Sequence, residues 1–229
     1  MDGQTVLVTG AKGGLGAHIT RLFLEKGAFV AGSSRSIADG DFSSANFAGF
    51  PAELSSAEAL NGVLDHALSA YGRVDALVHL MGAWAGGSRL EDTDAAAFDR
   101  MLDVNLRSTF FAFSAAARIM RSQGTGRLLA IGSKSAMEPQ TGAGAYSVAK
   151  AALAMLVRSF AAELRGSGVT ANIVLPGTMD TPQNRTADPT ADPSKWVHPC
   201  QVAELLVYLA SNAAEAVSGA AIPIYGADA

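Results

Sequence analysis

Cysteine, charge and aromatic residues are all scarce in this sequence, and each shortage excludes something. Cys200 is the only cysteine among 229 residues, so no internal disulfide can form, and its neighbours offer no zinc-ligand spacing. A lone thiol beside a predicted helix start reads as structural and fits a reducing compartment. Charged residues make up 17 %, with 21 acidic against 17 basic, a net charge of −4. That balance gives no pull toward nucleic acid or an anionic membrane. No apolar run reaches the roughly 20 residues that span a bilayer. The longest helix-like one, 110–117, is bounded by Arg107 and Arg118. Residues 1–4 are short and polar before an apolar strand, so no signal peptide is expected, and a cytoplasmic location is. The last strand is expected to finish just before Ala229, leaving no tail to cap a site.

What is present is apolar and regular. The apolar share is 49 %, enough for a large core and far from a disordered composition, and the 24 glycines follow no collagen period. Short β-branched or apolar runs occur at 5–8, 29–32, 47–50, 74–80, 127–131, 169–175 and 221–225. Helical patterns separate them, at 15–26, 57–70, 95–121 with a break near Asp103, 146–165 and 201–209. Gly27 is placed as a C-cap, and Ser55 or Ser56 as an N-cap. Strands apolar on both faces, alternating with helices, predict an α/β fold. It is a doubly wound parallel sheet of about seven strands with right-handed crossovers and helices on both faces. No linker divides the chain, so residues 1–229 are read as a single domain. The segment 178–199 holds four prolines and the near-duplicate ADPT-ADPS; a loop that long is expected to be a lid over a site.

The first strand runs into TGAKGGLG, residues 9–16, and then a helix. Gly10, Gly14 and Gly16, with Leu15 between the last two, allow a tight turn and close approach of backbone N–H groups to a pyrophosphate. Gly16 is followed by Ala17-His18, so this is not the Lys-Ser/Thr phosphate loop of nucleotide triphosphatases. The order strand, glycines, helix is that of a Rossmann-type dinucleotide site. After the second strand the chain reads Gly32-Ser33-Ser34-Arg35, with no carboxylate before Asp39. Arg35, beside Ser34 and with Lys12 from the glycine turn, is expected to accept a 2′-phosphate, which favours NADP(H) over NAD(H).

Tyr146 and Lys150 lie one turn apart on one helix face, and Ser133 directly follows the fifth strand. Ligands of open α/β sheets sit beyond the carboxyl ends of strands, where Ser133 and the glycine turn both fall. With Asn105, Tyr146-Ser147-Val148-Ala149-Lys150, Pro176-Gly177 and the closing Ser218-Gly219…Ile222-Pro223-Ile224, the chain resembles the short-chain dehydrogenase/reductase family in its compact single-domain branch. The resemblance implies a catalytic set of Asn105, Ser133, Tyr146 and Lys150. Tyr146 would be the general acid/base, its phenolate favoured by Lys150, which would also bind the nicotinamide ribose. Ser133 would aim the substrate carbonyl, and Asn105 would hold a water leading to Lys150. It further implies cofactor contacts from Gly82, Pro176, Gly177, Met179 and Thr181. It also implies a homo-oligomer, a tetramer rather than a dimer, with one interface along 104–121 and 146–165 and phenylalanines 110, 111 and 113 as its apolar area.

The chain departs from the family pattern in places. His79-Leu80-Met81-Gly82 replaces Asn-Asn-Ala-Gly, and His79 reads either as a cofactor contact or as a buried histidine satisfied locally. The acidic residue after strand three is Glu53, followed by Leu54, as an adenine contact. Trp84, Met137, Met179 and Trp196 are candidates for an apolar wall around a flat, small-molecule substrate. GAWAGG, residues 82–87, and DTPQNR, 180–185, look like the matching segments of dihydropteridine reductases, which reduce a flat heterocycle. A non-catalytic dinucleotide sensor or scaffold is the reading from another class. No metal site is expected.

Overall fold

The structure is a computed structural model describing residues 1–228; Ala229 lies outside the described residues. The strands are β1 (Thr5–Thr9), β2 (Phe29–Ser34), β3 (Phe47–Pro51), β4 (Ala76–His79), β5 (Gly126–Ile131), β6 (Val169–Pro176) and β7 (Ala221–Ile224). They form one parallel sheet ordered β3-β2-β1-β4-β5-β6-β7. The helices are α1 (Gly14–Glu25), α2 (Ala57–Tyr71), α3 (Ala95–Leu102), α4 (Ser108–Gln123), α5 (Gly144–Glu163), α6 (Pro182–Ala187) and α7 (Pro199–Ala210).

Side chains alternate across each strand, so the sheet feeds two cores. Val6 and Val8 of β1 pack with Ile19 and Phe23 of α1 and Leu206 and Leu209 of α7. Leu7 faces the other way, into a layer with Leu64 of α2, Phe113 of α4, and Leu153 and Val157 of α5. The seven-stranded sheet with helices on both faces is the expected architecture. Of the three prolines within strands, Pro51 and Pro223 stand on the edge strands β3 and β7, where a missing N–H breaks no ladder, and Pro176 ends β6. The chain leaves β1 toward β2 and β3, then returns to lay β4 on the other side of β1. That reversal opens a crevice beyond the carboxyl ends of β1 and β4.

Several boundaries differ from the sequence pattern for local reasons. The strand expected over 74–80 is confined to β4; just before it the Asp75 carboxylate, rather than a backbone carbonyl, accepts from Thr5 N at 2.8 Å, and it also accepts from the Arg73 guanidinium. Ser56, not Ser55, caps α2, accepting from Ala59 N at 3.3 Å. Lys26 ends α1, and Gly27 follows it with φ +79°. The pattern over 95–121 breaks where expected, at a π-helical turn, Asp103–Arg107, that joins α3 to α4. The segment 178–199 is ordered around α6. Its two ends are clasped by Val197 N–H to Thr178 O at 2.8 Å and Asp180 N–H to Val197 O at 2.9 Å. The longest apolar helix is α5, not 110–117. Its length and mean hydropathy of 1.2 would suffice to cross a membrane, but Leu153 and Val157 are spent in the core.

Candidate active site

The crevice is a cleft of about 1210 Å³ reaching from the glycine turn to α6. At its floor, Gly10 turns the chain with φ +73°, a conformation that side chains resist. A Cβ on Gly16 would overlap the Gly10 carbonyl oxygen, so only glycine lets α1 begin this close to β1. The amino end of α1 therefore points its free N–H groups and about half a positive charge into the cleft. Across the cleft, a Cβ on Gly14 would lie 3.4 Å from Thr181, which caps α6. The glycine turn and the start of α6 thus approach each other closely across one edge of the cleft.

Asn105, Ser133, Tyr146 and Lys150 all line the deeper end. The π-helical turn rotates Asn105 inward, where it is fully buried. Its side-chain amide clasps Ala83: Nδ2 donates to Ala83 O at 2.9 Å, and Oδ1 accepts from Ala83 N at 3.2 Å. Gly82 is the condition for this arrangement, since a Cβ there would stand 3.0 Å from Asn105 Oδ1 and 3.2 Å from Lys150 Nζ. Lys150 donates to the Ile131 carbonyl at 2.9 Å, and burial pulls its ammonium down to about 8. Ser133 begins the turn after β5, and its hydroxyl accepts from Ser135 N at 3.1 Å.

Tyr146 is half-buried on the cleft wall. Burial holds its phenol above the ordinary tyrosine value, and a hydrogen bond with Ser133 only partly offsets that. Lys150 Nζ lies 5.8 Å from the ring centre.

Of the expected cofactor residues, Gly10, Gly14, Leu15, Gly16, Gly82, Pro176, Gly177, Met179 and Thr181 line the cleft with Tyr146 and Lys150. Six do not. His79 is closed off beneath it: Thr9 Oγ1 lies 2.9 Å from Nδ1, and Ser108 Oγ 3.3 Å from Nε2. Ser108 donates onward to Val104 O, so Nε2 carries the proton and Nδ1 accepts. Burial, aided by the Lys150 charge, pulls His79 down to about 3 and keeps it neutral. His79 is thus a buried histidine, satisfied not by local backbone but by two side chains from distant parts of the chain, and its ring does not face the cleft. Leu54 is a core residue, so its side chain cannot meet an adenine. Ser34 ends β2, half-buried, with its hydroxyl accepting from Lys12 N at 3.1 Å, and the Lys12, Arg35 and Glu53 side chains lie on open surface. Arg35 is 83 % exposed and 4.0 Å from Glu53. Lys12 is not free as expected: Asp41 takes it at 2.7 Å, and it also donates to Ser36 O at 3.0 Å. Asp41 gave no motif-level signal. It reaches Lys12 through a single turn that Ala38 N–H closes onto its carboxylate at 2.9 Å.

Among the expected substrate residues, Trp84, Met179 and Trp196 line the cleft. Met137 is a correction: it lies outside, 59 % exposed, because the short helical turn Lys134–Ala136 carries it away from Tyr146. Among the described residues, no group of three or more metal-ligating side chains converges.

Comparison with known proteins agrees with this geometry. The family profile described as enoyl-(acyl carrier protein) reductase matches residues 10–226. A cis-4-hydroxycyclohexanecarboxylate dehydrogenase of Sinomonas cyclohexanicum is 31 % identical over 97 % of this chain and 95 % of its own. The chain belongs to the short-chain dehydrogenase/reductase family. A solved short-chain dehydrogenase/reductase from Serratia marcescens superposes with a TM-score of 0.90 at 33 % identity, covering 100 % of this chain and 99 % of that one. A 3-ketoacyl-(acyl-carrier-protein) reductase from Brucella melitensis, solved with NADH, shares the fold at TM-score 0.89 and 23 % identity, over 99 % and 98 %. The protein is thus an NAD(P)-dependent oxidoreductase of the short-chain type. In this short-chain dehydrogenase/reductase the residues that sequence reasoning missed are Lys134, Glu138 and Gln140 on one cleft wall, and Gln183 and Asn184 on α6.

Proposed function

We propose that this enzyme transfers a hydride between NADP(H) and the carbonyl or alcohol carbon of a small cyclic substrate, with Tyr146 as general acid/base. The observation that carries this is the convergence of Ser133, Tyr146 and Lys150 in one cleft with the glycine cradle. The cradle fits a dinucleotide pyrophosphate: backbone N–H groups face it, and no side chain at Gly14 or Gly16 fills it. Bound there, the dinucleotide supplies or accepts the hydride. Ser133 donates to the substrate oxygen and fixes its position. Tyr146, held protonated by burial, gives its proton to that oxygen as negative charge develops, and takes one back in oxidation. Lys150 binds the nicotinamide ribose and lends positive charge once its bond to Ile131 O is exchanged. Asn105 holds the backbone at Ala83 so that the wall over Lys150 cannot shift.

Support for a cyclic substrate comes from Trp84 and Trp196, two flat apolar faces in the same cleft. The relative named for a hydroxycyclohexane carboxylate points the same way. The same two rings favour a second reading, reduction of a flat heterocycle such as a quinonoid dihydropterin. NADP(H) is favoured by Arg35, whose guanidinium is exposed and only 4.0 Å from one exposed carboxylate. The exposed Phe110, Val148 and Met155 on α4 and α5 support a homo-oligomer; Phe113 is core and contributes nothing to that face. The lone cysteine fits a reducing compartment and supports a cytoplasmic location.

Fluorescence titration with NADPH and NADH, then turnover of cyclic ketones, simple ketones and quinonoid dihydropterin, tests all of this. Tight NADPH binding and cyclic-ketone reduction are expected. Preference for NADH removes Arg35 as the selector, and pterin turnover alone selects the heterocycle. Binding without turnover of any carbonyl leaves a sensor. A dimer or tetramer by light scattering is expected; a monomer overturns the oligomer.

A further inference from the structure

His79 is buried, carries an ionisable ring and has no part in the proposed chemistry. Its two ring nitrogens join segments that lie far apart in the sequence. Nδ1 accepts from the Thr9 hydroxyl at 2.9 Å, and Nε2 donates to the Ser108 hydroxyl at 3.3 Å. Thr9 ends β1, immediately before the turn at Gly10, and its oxygen also accepts from Leu80 N at 3.2 Å. Ser108 opens α4, immediately after the π-helical turn that carries Asn105. The ring therefore bridges the glycine turn to the π-helical turn.

Each group along this line has one direction open to it. The Ser108 hydroxyl gives its proton to Val104 O at 2.8 Å, so toward the imidazole it can only accept. The opposite tautomer would draw the Ser108 proton to Nε2 and take it from Val104 O. That carbonyl matters, because the π turn has displaced its helical partner. In an α-helix the Ser108 amide would donate to Val104 O; here it donates to Asp103 O, and the Ser108 hydroxyl serves Val104 instead. A π turn is a rare departure from the helical ladder, and the buried groups it displaces need new partners. Asn105 lies inside that turn and grips Ala83 from it, through Nδ2 to O at 2.9 Å and N to Oδ1 at 3.2 Å. Relaxing the turn to α-helix would rotate Asn105 relative to α4 by about 100°, one residue's share of a helical turn.

We propose that His79 is a positioning residue for this enzyme's reaction: through the Ser108 hydroxyl it holds the π-helical turn in the register that keeps Asn105 on Ala83. The backbone at 82–83 then stays over Lys150, where Gly82 leaves no room for a shift: a Cβ there would stand 3.0 Å from Asn105 Oδ1 and 3.2 Å from Lys150 Nζ. The kinetic part of the proposal rests on the hydride-transfer reading of the cleft; the structural part does not.

The test compares His79→Asn, His79→Gln and Ser108→Ala in the full chain. An Asn amide sits where Nδ1 does and reaches Thr9 but not Ser108, whereas a Gln amide extends to the place of Nε2 and can donate to Ser108. In His79→Asn and Ser108→Ala, kcat should fall about tenfold with substrate KM within about twofold, and in His79→Gln kcat should stay within about threefold of the parent enzyme. Combining His79→Asn with Ser108→Ala should cost no more than either alone, because both cut one line. Hydrogen exchange at the Ala83 amide, read by NMR without substrate or cofactor, should quicken about tenfold in His79→Asn and Ser108→Ala and not in His79→Gln. Turnover and Ala83 exchange that simply follow melting temperature across the three variants would make His79 structural only and overturn the proposal. Equal losses in His79→Asn and His79→Gln, or unchanged Ala83 exchange in Ser108→Ala, overturn it as well. A parent enzyme that turns over no carbonyl sinks the hydride-transfer reading instead, and Ala83 exchange then decides this proposal by itself.

Discussion

The deep end of the cleft and the open surface outside it, beside β2 and β3, are built on different principles. At the deep end, Asn105, Lys150 and the histidine network beneath them are buried and hydrogen-bonded to backbone atoms. At this outer end, outside the cleft lining, Arg35, Glu53, Lys12 and Asp41 are surface charges in high dielectric. The deep end fixes positions, because each polar group there has one low-energy partner and no water to replace it. The outer end fixes only net charge, because exposed pairs contribute little and re-pair freely. Chemistry at one end should therefore be all-or-none, and cofactor choice at the other graded.

The largest expected effect lies at the deep end. Tyr146→Phe should lower turnover by about a thousandfold while dinucleotide affinity stays within about threefold. Steady-state kinetics with fluorescence titration checks both, and near-normal turnover would break the comparison at its centre. Arg35→Ala should come next, weakening NADPH by about tenfold to a hundredfold, the range of one charge-assisted hydrogen bond, with NADH unchanged. A variant equally weakened for both cofactors would show that Arg35 supports the loop rather than reads a 2′-phosphate.

His79 offers a third test, beneath the deep end. It titrates at about 3 in the fold against 6.5 when unperturbed. Between those values the unfolded chain holds a proton that the fold does not. Its stabilising share is therefore complete above about pH 6.5 and declines as pH falls, by about 1.4 kcal/mol per pH unit. His79→Asn should flatten this slope between pH 6.5 and 5 in urea denaturation. An unchanged slope would mean that the histidine already charges in the fold.

The same contrast explains what was legible in the sequence. Strand and helix alternation and the spacing of Ser133, Tyr146 and Lys150 are local patterns, and the fold turns them into position without further choice. The role of Gly82 was half visible: the residue could be named, but not that its missing Cβ makes room for both Asn105 and Lys150. His79 left two readings open because its partners, Thr9 and Ser108, are 70 and 29 residues away. Met137 was misplaced because proximity in sequence to Ser133 and Tyr146 says nothing of the turn that carries it outward. Asp41 left no signal at all, since its meaning comes from Lys12, 29 residues earlier.

That pair gives the smallest and sharpest prediction. Asp41 holds the Lys12 ammonium with both carboxylate oxygens, at 2.7 and 2.9 Å, and Lys12 in turn holds the Asp41 carboxyl below the usual carboxylate range. A 2′-phosphate approaching Ser34 and Arg35 would meet a lysine already neutralised and a carboxylate of its own sign. Asp41→Asn keeps the shape and a hydrogen-bond acceptor for Ala38 N–H but removes the charge. NADPH affinity should rise about threefold, the modest gain expected of an exposed charge, and the gain should shrink with added salt. NADH affinity should not change, because its ribose brings no charge to this point. An equal rise for both cofactors would trace the effect to the loop's conformation. No rise for either would mean that Lys12 leaves Asp41 unaided, and that Arg35 alone sets the preference.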